Sequence, residues 1–288
     1  MHATSYVSND ALAAKAVRLR ELHHGPPILV LPNAWDAASA RIFEATGFDA
    51  IATTSGGIAN ACGFPDGEYI SRKEMLDAVR RITRAVGIPV TADMEAGYGI
   101  TPEAVAETAR LTIKAGAVGM NLEDSVRGKQ QPFFDLSLQV EKIKAVREAM
   151  DALNIPFVIN ARTDVFLRLR DEPNKLLKQA LERGNAYAAA GADCIFVMGV
   201  SDKQIITDLV RELNAPINIV VGVNSPTIAE LETLGVARVT FGTLPFRTTM
   251  SLTEQIAKEI KASGTYTFGR DAMPHQTANG YFEKVANG

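Results

Sequence analysis

The chain is poor in the residues that most often betray a mechanism. Its two cysteines, Cys62 and Cys194, lie far apart in apolar or glycine-rich settings, which excludes a disulfide scaffold and any C-x-x-C metal site. Its four histidines, His2, His23, His24 and His275, fall outside every predicted strand, which argues against zinc and imidazole acid-base chemistry. No apolar run approaches the ~18 residues of a membrane span, and the first residues lack a basic stretch leading into an apolar one. Basic residues are dispersed and the net charge is -3, so nucleic acid and anionic membrane surfaces are discounted as partners. No strand-to-helix turn carries G-x-G-x-x-G with an acid after the next strand, so a dinucleotide site is unsupported. Sparse, unpaired cysteine points to a reducing cytoplasm.

What remains is an ordinary globular composition, 47% apolar and 22% charged, over 288 residues. After a lead-in helix from about Asn9 to Leu22, short apolar runs alternate with helix-period segments. The predicted strands are Ile28 to Leu31, Asp49 to Thr54, 87–93, 117–124, 155–164, 192–198, 216–222 and 237–242. Helices between them are marked by a capping box at Ser71 and Glu74, by Pro102 at a first helical position, and by glycines closing each turn before a strand. The stretch S-G-G-I-A-N-A-C-G-F-P-D-G reads as a long loop. Eight apolar strands, each flanked by helices, predict an α/β fold with a parallel sheet closed into a (β/α)8 TIM barrel, with an open doubly wound sheet as runner-up. The expected organisation is one barrel domain, 1–288, with a lead-in at 1–27 and an extension at 263–288. Tyr266, Phe268, Tyr281 and Phe282 favour packing of that extension, for example against a partner subunit.

Catalytic groups of such a barrel sit at the carboxyl ends of its strands. There the sequence supplies Ser55, Gly56 and Gly57, then Asp93 and Glu95 in V-T-A-D-M-E-A-G-Y-G, then Glu123 and Asp124, then Arg162 and Asp164. Asp93 and Glu95, one residue apart, are expected on the same side of their strand, where two acids can hold a hard cation directly or through water. Carboxylates without histidine or cysteine suit Mg2+ or Mn2+. Ser55 to Gly57 read either as a tight turn or as backbone amides for a carboxylate or phosphate. Glu123 reads as a metal acid or an ion-pair partner of Arg162, Asp124 as pointing the other way and capping the following segment, and Asp164 as a helix or turn cap. Together they describe a site where Asp93, Glu95 and Glu123 organise a metal and Arg162 with Ser55–Gly57 hold a small carboxylate, while enolate charge is stabilised.

The motifs T-T-S-G-G-I-A-N, G-F-P-D-G, T-A-D-M-E-A-G-Y-G, G-M-N-L-E-D-S and N-A-R-T-D, in that order, resemble the isocitrate lyase/phosphoenolpyruvate mutase superfamily from about Leu31 to Phe246. The resemblance implies a Mg2+-bound enolate from a 2-oxo or 2-hydroxy acid and cleavage of a C-C or P-C bond. It also implies a homo-oligomer, a dimer of dimers, in which neighbouring barrels exchange the eighth helix. Residue by residue, it makes Ser55, Gly56 and Gly57 the carboxylate cradle and Asp66 the acid approaching the reacting end. Asp93 and Glu123 become metal acids, and Arg162 the substrate-binding arginine. Departures narrow the chemistry. Lyases of isocitrate and methylisocitrate carry K-[KR]-C-G-H after the fourth strand, where this chain has S-V-R-G-K-Q-Q-P-F-F, with neither cysteine nor histidine. Glu95 stands where most members have aspartate, and Met198 where the methylisocitrate branch has glutamate. The expected activity is a Mg2+-dependent C-C lyase in which Asp66, Arg162 or Lys129 assists bond or proton transfer. Phosphonopyruvate mutase or hydrolase chemistry, with Arg127 and Lys129 on the phosphonate, is the alternative; a non-catalytic carboxylate-binding barrel is a minor one.

Overall fold

A computed structural model describes residues 8–125 and 132–283. The chain runs α1 (Asn9–Glu21), β1 (Leu29–Leu31), β2 (Asn33–Ala34), α2 (Ala37–Ala45), β3 (Ile51–Thr53), α3 (Ser55–Ala61), α4 (Arg72–Ala85), β4 (Val90–Asp93) and α5 (Pro102–Lys114). It continues through β5 (Gly119–Glu123), α6 (Leu136–Asp151), β6 (Val158–Thr163), α7 (Val165–Arg168), α8 (Pro173–Ala189), β7 (Cys194–Val197), α9 (Lys203–Glu212) and β8 (Ile217–Val220). Last come α10 (Ile228–Thr233), β9 (Arg238–Thr240), α11 (Leu244–Ser263), a 3-10 turn at Thr267–Asp271, and α12 (His275–Gly280).

All strand pairs are parallel, in the order β1-β9-β8-β7-β6-β5-β4-β3-β2. The first and last members of that order, β1 and β2, are two halves of one strand position separated by Pro32, which has no N–H to give a ladder. The eight-stranded barrel expected from the apolar runs is therefore present. Asn33 stitches its seam: Nδ2 donates to the Thr53 carbonyl at 2.9 Å, and Oδ1 accepts from the Phe241 and Gly242 amides at 2.8 and 3.0 Å.

Helices cover the outside through apolar stripes. On α4, Met75, Leu76, Val79, Ile82 and Ala85 are buried beneath the Ser71–Glu74 capping box, and each of the larger ones contributes ~1.5–3 kcal/mol. The amino-terminal α1 buries Leu12, Ala16 and Leu19 and contacts β6; beyond its end the buried His23 binds the Leu19 carbonyl through Nδ1.

Three segments depart from the sequence reading. The stretch from Ser55 to Ala61, expected as loop, is a helix capped by the Thr54 side chain on the Gly57 amide. The short α7 was not foreshadowed. The extension is folded: α12 follows the 3-10 turn, and the Tyr281 carbonyl accepts from Arg41 Nε on α2 at 2.7 Å. Its Tyr266 and Phe282 stay exposed. By contrast α11 buries only Phe246 of its 20 residues and leaves Met250, Leu252 and Ile260 about half exposed. Among the described residues no helix is long and apolar enough to cross a membrane.

Candidate active site

Parallel strands deliver their carboxyl ends to one mouth, and four of them bring polar groups there. Asp93 ends β4, Glu123 ends β5, Arg162 is the penultimate residue of β6, and Ser55 follows β3. The start of α3 is built around Asp93: Ser55 donates from its amide at 3.0 Å and from Oγ at 2.7 Å to Asp93 Oδ2. The Asp93 amide in turn donates to Thr53 Oγ1 at 2.9 Å. Asp93 is thus fixed through one oxygen, while buried Oδ1 has no hydrogen-bond partner among the described residues.

Asp66 is carried to the same place by the loop after α3. A Cβ placed on Gly56 would lie 2.8 Å from Thr243 Cγ2 and 3.0 Å from the Asp66 carboxyl carbon, so only glycine lets that backbone sit against the acid. Of the Ser55–Gly57 amides, those of Ser55 and Gly57 are already engaged, by Asp93 and Thr54.

Glu95 reaches the mouth by a route that strand alternation does not describe. β4 stops at Asp93, and Glu95 takes a left-handed backbone at φ 52° in a turn completed by Gly97 at φ 97°. Its carbonyl accepts from the Glu123 amide at 2.9 Å, tying the turn to β5. Burial pushes the Glu95 carboxyl up to about 8; a hydrogen bond from the Glu68 amide opposes this, and the Asp93, Glu123 and Asp66 carboxylates add to it. Beneath the turn lies Lys142 of α6, wholly buried, donating from Nζ to the Ala96 carbonyl at 3.0 Å with the Phe134 ring 3.7 Å away. Burial lowers the Lys142 ammonium to about 8, against the pull of Glu68, Glu123 and Asp124.

Arg162 is held on three sides. It makes a bidentate pair with Asp164, at 2.6 and 2.9 Å, its Nη1 meets Glu123 Oε2 at 2.8 Å, and the Phe196 ring lies 5.7 Å off. Asp164, expected as a cap, makes no capping hydrogen bond and serves as the arginine's clamp. Glu123 also accepts from Ser125 Oγ at 3.0 Å. Burial drives its carboxyl upward, and the Arg162 charge offsets part of that. Asp124 turns away, as expected from alternation, but instead of capping the following segment it binds Arg183, Tyr187 and the Asp164 amide, partners that only the folded barrel brings to it. Arg127 and Lys129 lie outside the described residues.

These residues bring four carboxyl groups and one arginine to the mouth. Among the described residues no three carboxylate, histidine or cysteine groups converge tightly enough to hold an ion by themselves. A small hard ion bound there would take one or two carboxylates directly and complete its shell with water. Asp93 Oδ1 could serve as a direct ligand, with Glu95 and Glu123 acting through water; burial is the main cause that raises both glutamates, and nearby carboxylates add to it. Sequence reading did not find Lys142, which looks like any lysine on an amphipathic helix, nor Tyr98, whose buried hydroxyl faces the same acids.

A closed parallel barrel with clustered acids and a clamped arginine at the carboxyl ends of its strands places polar groups where barrel enzymes carry their active sites. The family model described as phosphoenolpyruvate phosphomutase matches residues 19–261. The chain is 34% identical over 230 residues to 2,3-dimethylmalate lyase of Eubacterium barkeri, covering 76% of this chain and 77% of that one. It is 30% identical over 259 residues to 2-methylisocitrate lyase of Escherichia coli K12, covering 87% and 85%. A solved Burkholderia cenocepacia J2315 structure, named as a candidate lyase/mutase, superposes with a TM-score of 0.89 at 38% identity, over 95% of this chain and 97% of that one. The chain belongs to the isocitrate lyase/phosphoenolpyruvate mutase superfamily, whose characterised members are lyases and phosphomutases.

Proposed function

We propose that the protein is a divalent-metal-dependent lyase that cleaves a C-C bond of a small 2-oxo or 2-hydroxy acid, giving a pyruvate-type enolate. The observation that carries this is the construction around Asp93: one oxygen fixed by Ser55, the other buried with no hydrogen-bond partner among the described residues, with Glu95 and Glu123 close enough to feel its charge. Bound there, Mg2+ or Mn2+ would act as a Lewis acid that stabilises developing enolate charge. Asp93 would hold the ion, with Glu95 and Glu123 assisting through water. The substrate carboxylate lies along the start of α3, where the Gly56 backbone approaches Asp66. Arg162, kept in place by Asp164, faces the developing negative charge. Asp66, adjacent to Gly56, is the group in position to accept or return a proton, with Lys129 and Arg127 assisting from beyond the described residues. The 2,3-dimethylmalate lyase relative supports C-C cleavage.

Phosphonate chemistry is the second reading, favoured by the family model's description. A panel of 2-oxo acids, 2-hydroxy acids and phosphonopyruvate, incubated with Mg2+ and followed by proton and phosphorus NMR, separates the two. C-C cleavage products support the lyase; a phosphorus signal moving between carbon and oxygen supports the mutase. No turnover of any member, with metal bound, defeats both. The exposed apolar residues of α11 support an oligomer in which this helix packs on a second copy, and light scattering tests that assembly.

A further inference from the structure

The largest wholly enclosed side chain among the described residues is a charged one, Arg238 at the start of β9. Its direction follows from register. Partners in a parallel ladder face the same side, and the row Arg162, Phe196, Asn218, Arg238 is one such line across β6 to β9. Arg162 and Phe196 meet at the mouth, so Asn218 and Arg238 also point into the barrel.

Nothing described there answers the guanidinium. Nε, Nη1 and Nη2 all lack a hydrogen-bond partner among the described residues, and so does Nδ2 of neighbouring Asn218, whose Oδ1 accepts from Thr240. No carboxylate among the described residues forms an ion pair with Arg238. Asp93 acts on it only at longer range and has Oδ2 committed to Ser55. The other titratable neighbours bring no negative charge: burial raises the Cys194 thiol to about 12, and burial together with Arg238 drives His23 down to about 3. Burial lowers Arg238 itself only to about 10, so it is a cation at neutral pH. Leaving a buried donor unmet is costly, and more so when it is charged. Water would satisfy the donors but leave the charge, whereas an anion answers both.

We propose that Arg238 and Asn218 Nδ2 bind a small monovalent anion of the halide class inside the barrel, beneath the acid cluster. In a barrel interior filled by side chains, only an ion of about the size of a water molecule is a candidate, not a carboxylic acid. The site is independent of which bond the enzyme cleaves.

Crystals of the whole chain soaked in sodium bromide test this. The expected result is a bromine anomalous peak within hydrogen-bonding reach of the guanidinium and Asn218 Nδ2; ordered water without anomalous signal overturns the proposal. In solution, at fixed ionic strength and saturating Mg2+, chloride in place of gluconate is expected to raise the unfolding midpoint saturably, by several degrees. Arg238→Met is expected to show equal midpoints in both salts. Equal midpoints in the wild type overturn the proposal as well. Should Arg238→Met not fold, the bromide density of the wild type decides.

Discussion

Removing the negative charge of Glu95 gives the sharpest test of the acid cluster, because structure and sign are both defined. The folded protein holds this carboxyl at about 8 against an ordinary 4.5. A group raised in the folded state contributes stability that is fully present below its unfolded value and lost as pH climbs through the folded one. At about 1.4 kcal/mol per pH unit, the metal-free protein should lose on the order of 3–5 kcal/mol between pH 4.5 and pH 8. Glu95 is almost fully enclosed, so solvent screening removes little of this. Glu95→Gln keeps the size and the Glu68 contact but cannot ionise. Urea unfolding of both proteins in EDTA, from pH 5 to pH 9, should show the variant flatter in pH and the more stable of the two above pH 7. Mg2+ should stabilise the wild type increasingly as pH rises and the variant much less. Parallel pH profiles for the two proteins would mean that the Glu95 charge is not the source of the pH dependence.

Other substitutions probe other parts of the site. Asp93→Asn, which can still accept from Ser55, should weaken Mn2+ binding by about a hundredfold or more in calorimetry, since it replaces a charged direct ligand. Gly56→Ala would press against Thr243 and the Asp66 carboxyl; turnover should fall at least tenfold with metal affinity little changed. Lys142→Met leaves the Ala96 carbonyl unpaired and should cost about 1–3 kcal/mol in denaturant unfolding, with Lys142→Arg recovering part of the loss. Asn33→Ala strips the Phe241 and Gly242 amides and the Thr53 carbonyl of their partner, so hydrogen exchange at β9 and β3 should accelerate before that of β5 and β6.

The barrel was legible because each strand is a short apolar run punctuated by glycine and by helix caps, signals that tertiary context does not reverse. The acids and the arginine were legible for the same reason, since a charge closing an apolar strand has few structural uses. What escaped depends on tertiary contact. A pair of glycines argues against helix, and Ser55–Ala61 becomes one because Thr54 caps it and Asp93 takes the Ser55 amide. Glu95 was placed by strand alternation, but it arrives through a left-handed turn, whose conformation depends on Gly97 and on the Ala96 carbonyl held by Lys142. Asp164 sits at the cap position of α7 yet spends its carboxylate on Arg162, a choice local sequence does not encode. Arg238 stood in plain view inside an apolar strand, and only the register shows that it faces the barrel interior.

The central claim is that Asp93 anchors a divalent ion facing a small carboxylate. Crystals grown with Mn2+ and oxalate, an enolpyruvate mimic, test it most directly. A manganese anomalous peak is expected on Asp93 Oδ1, with oxalate lying between the ion and the Ser55–Gly57 helix start. A manganese peak elsewhere, or oxalate bound with no ion at Asp93, would contradict it.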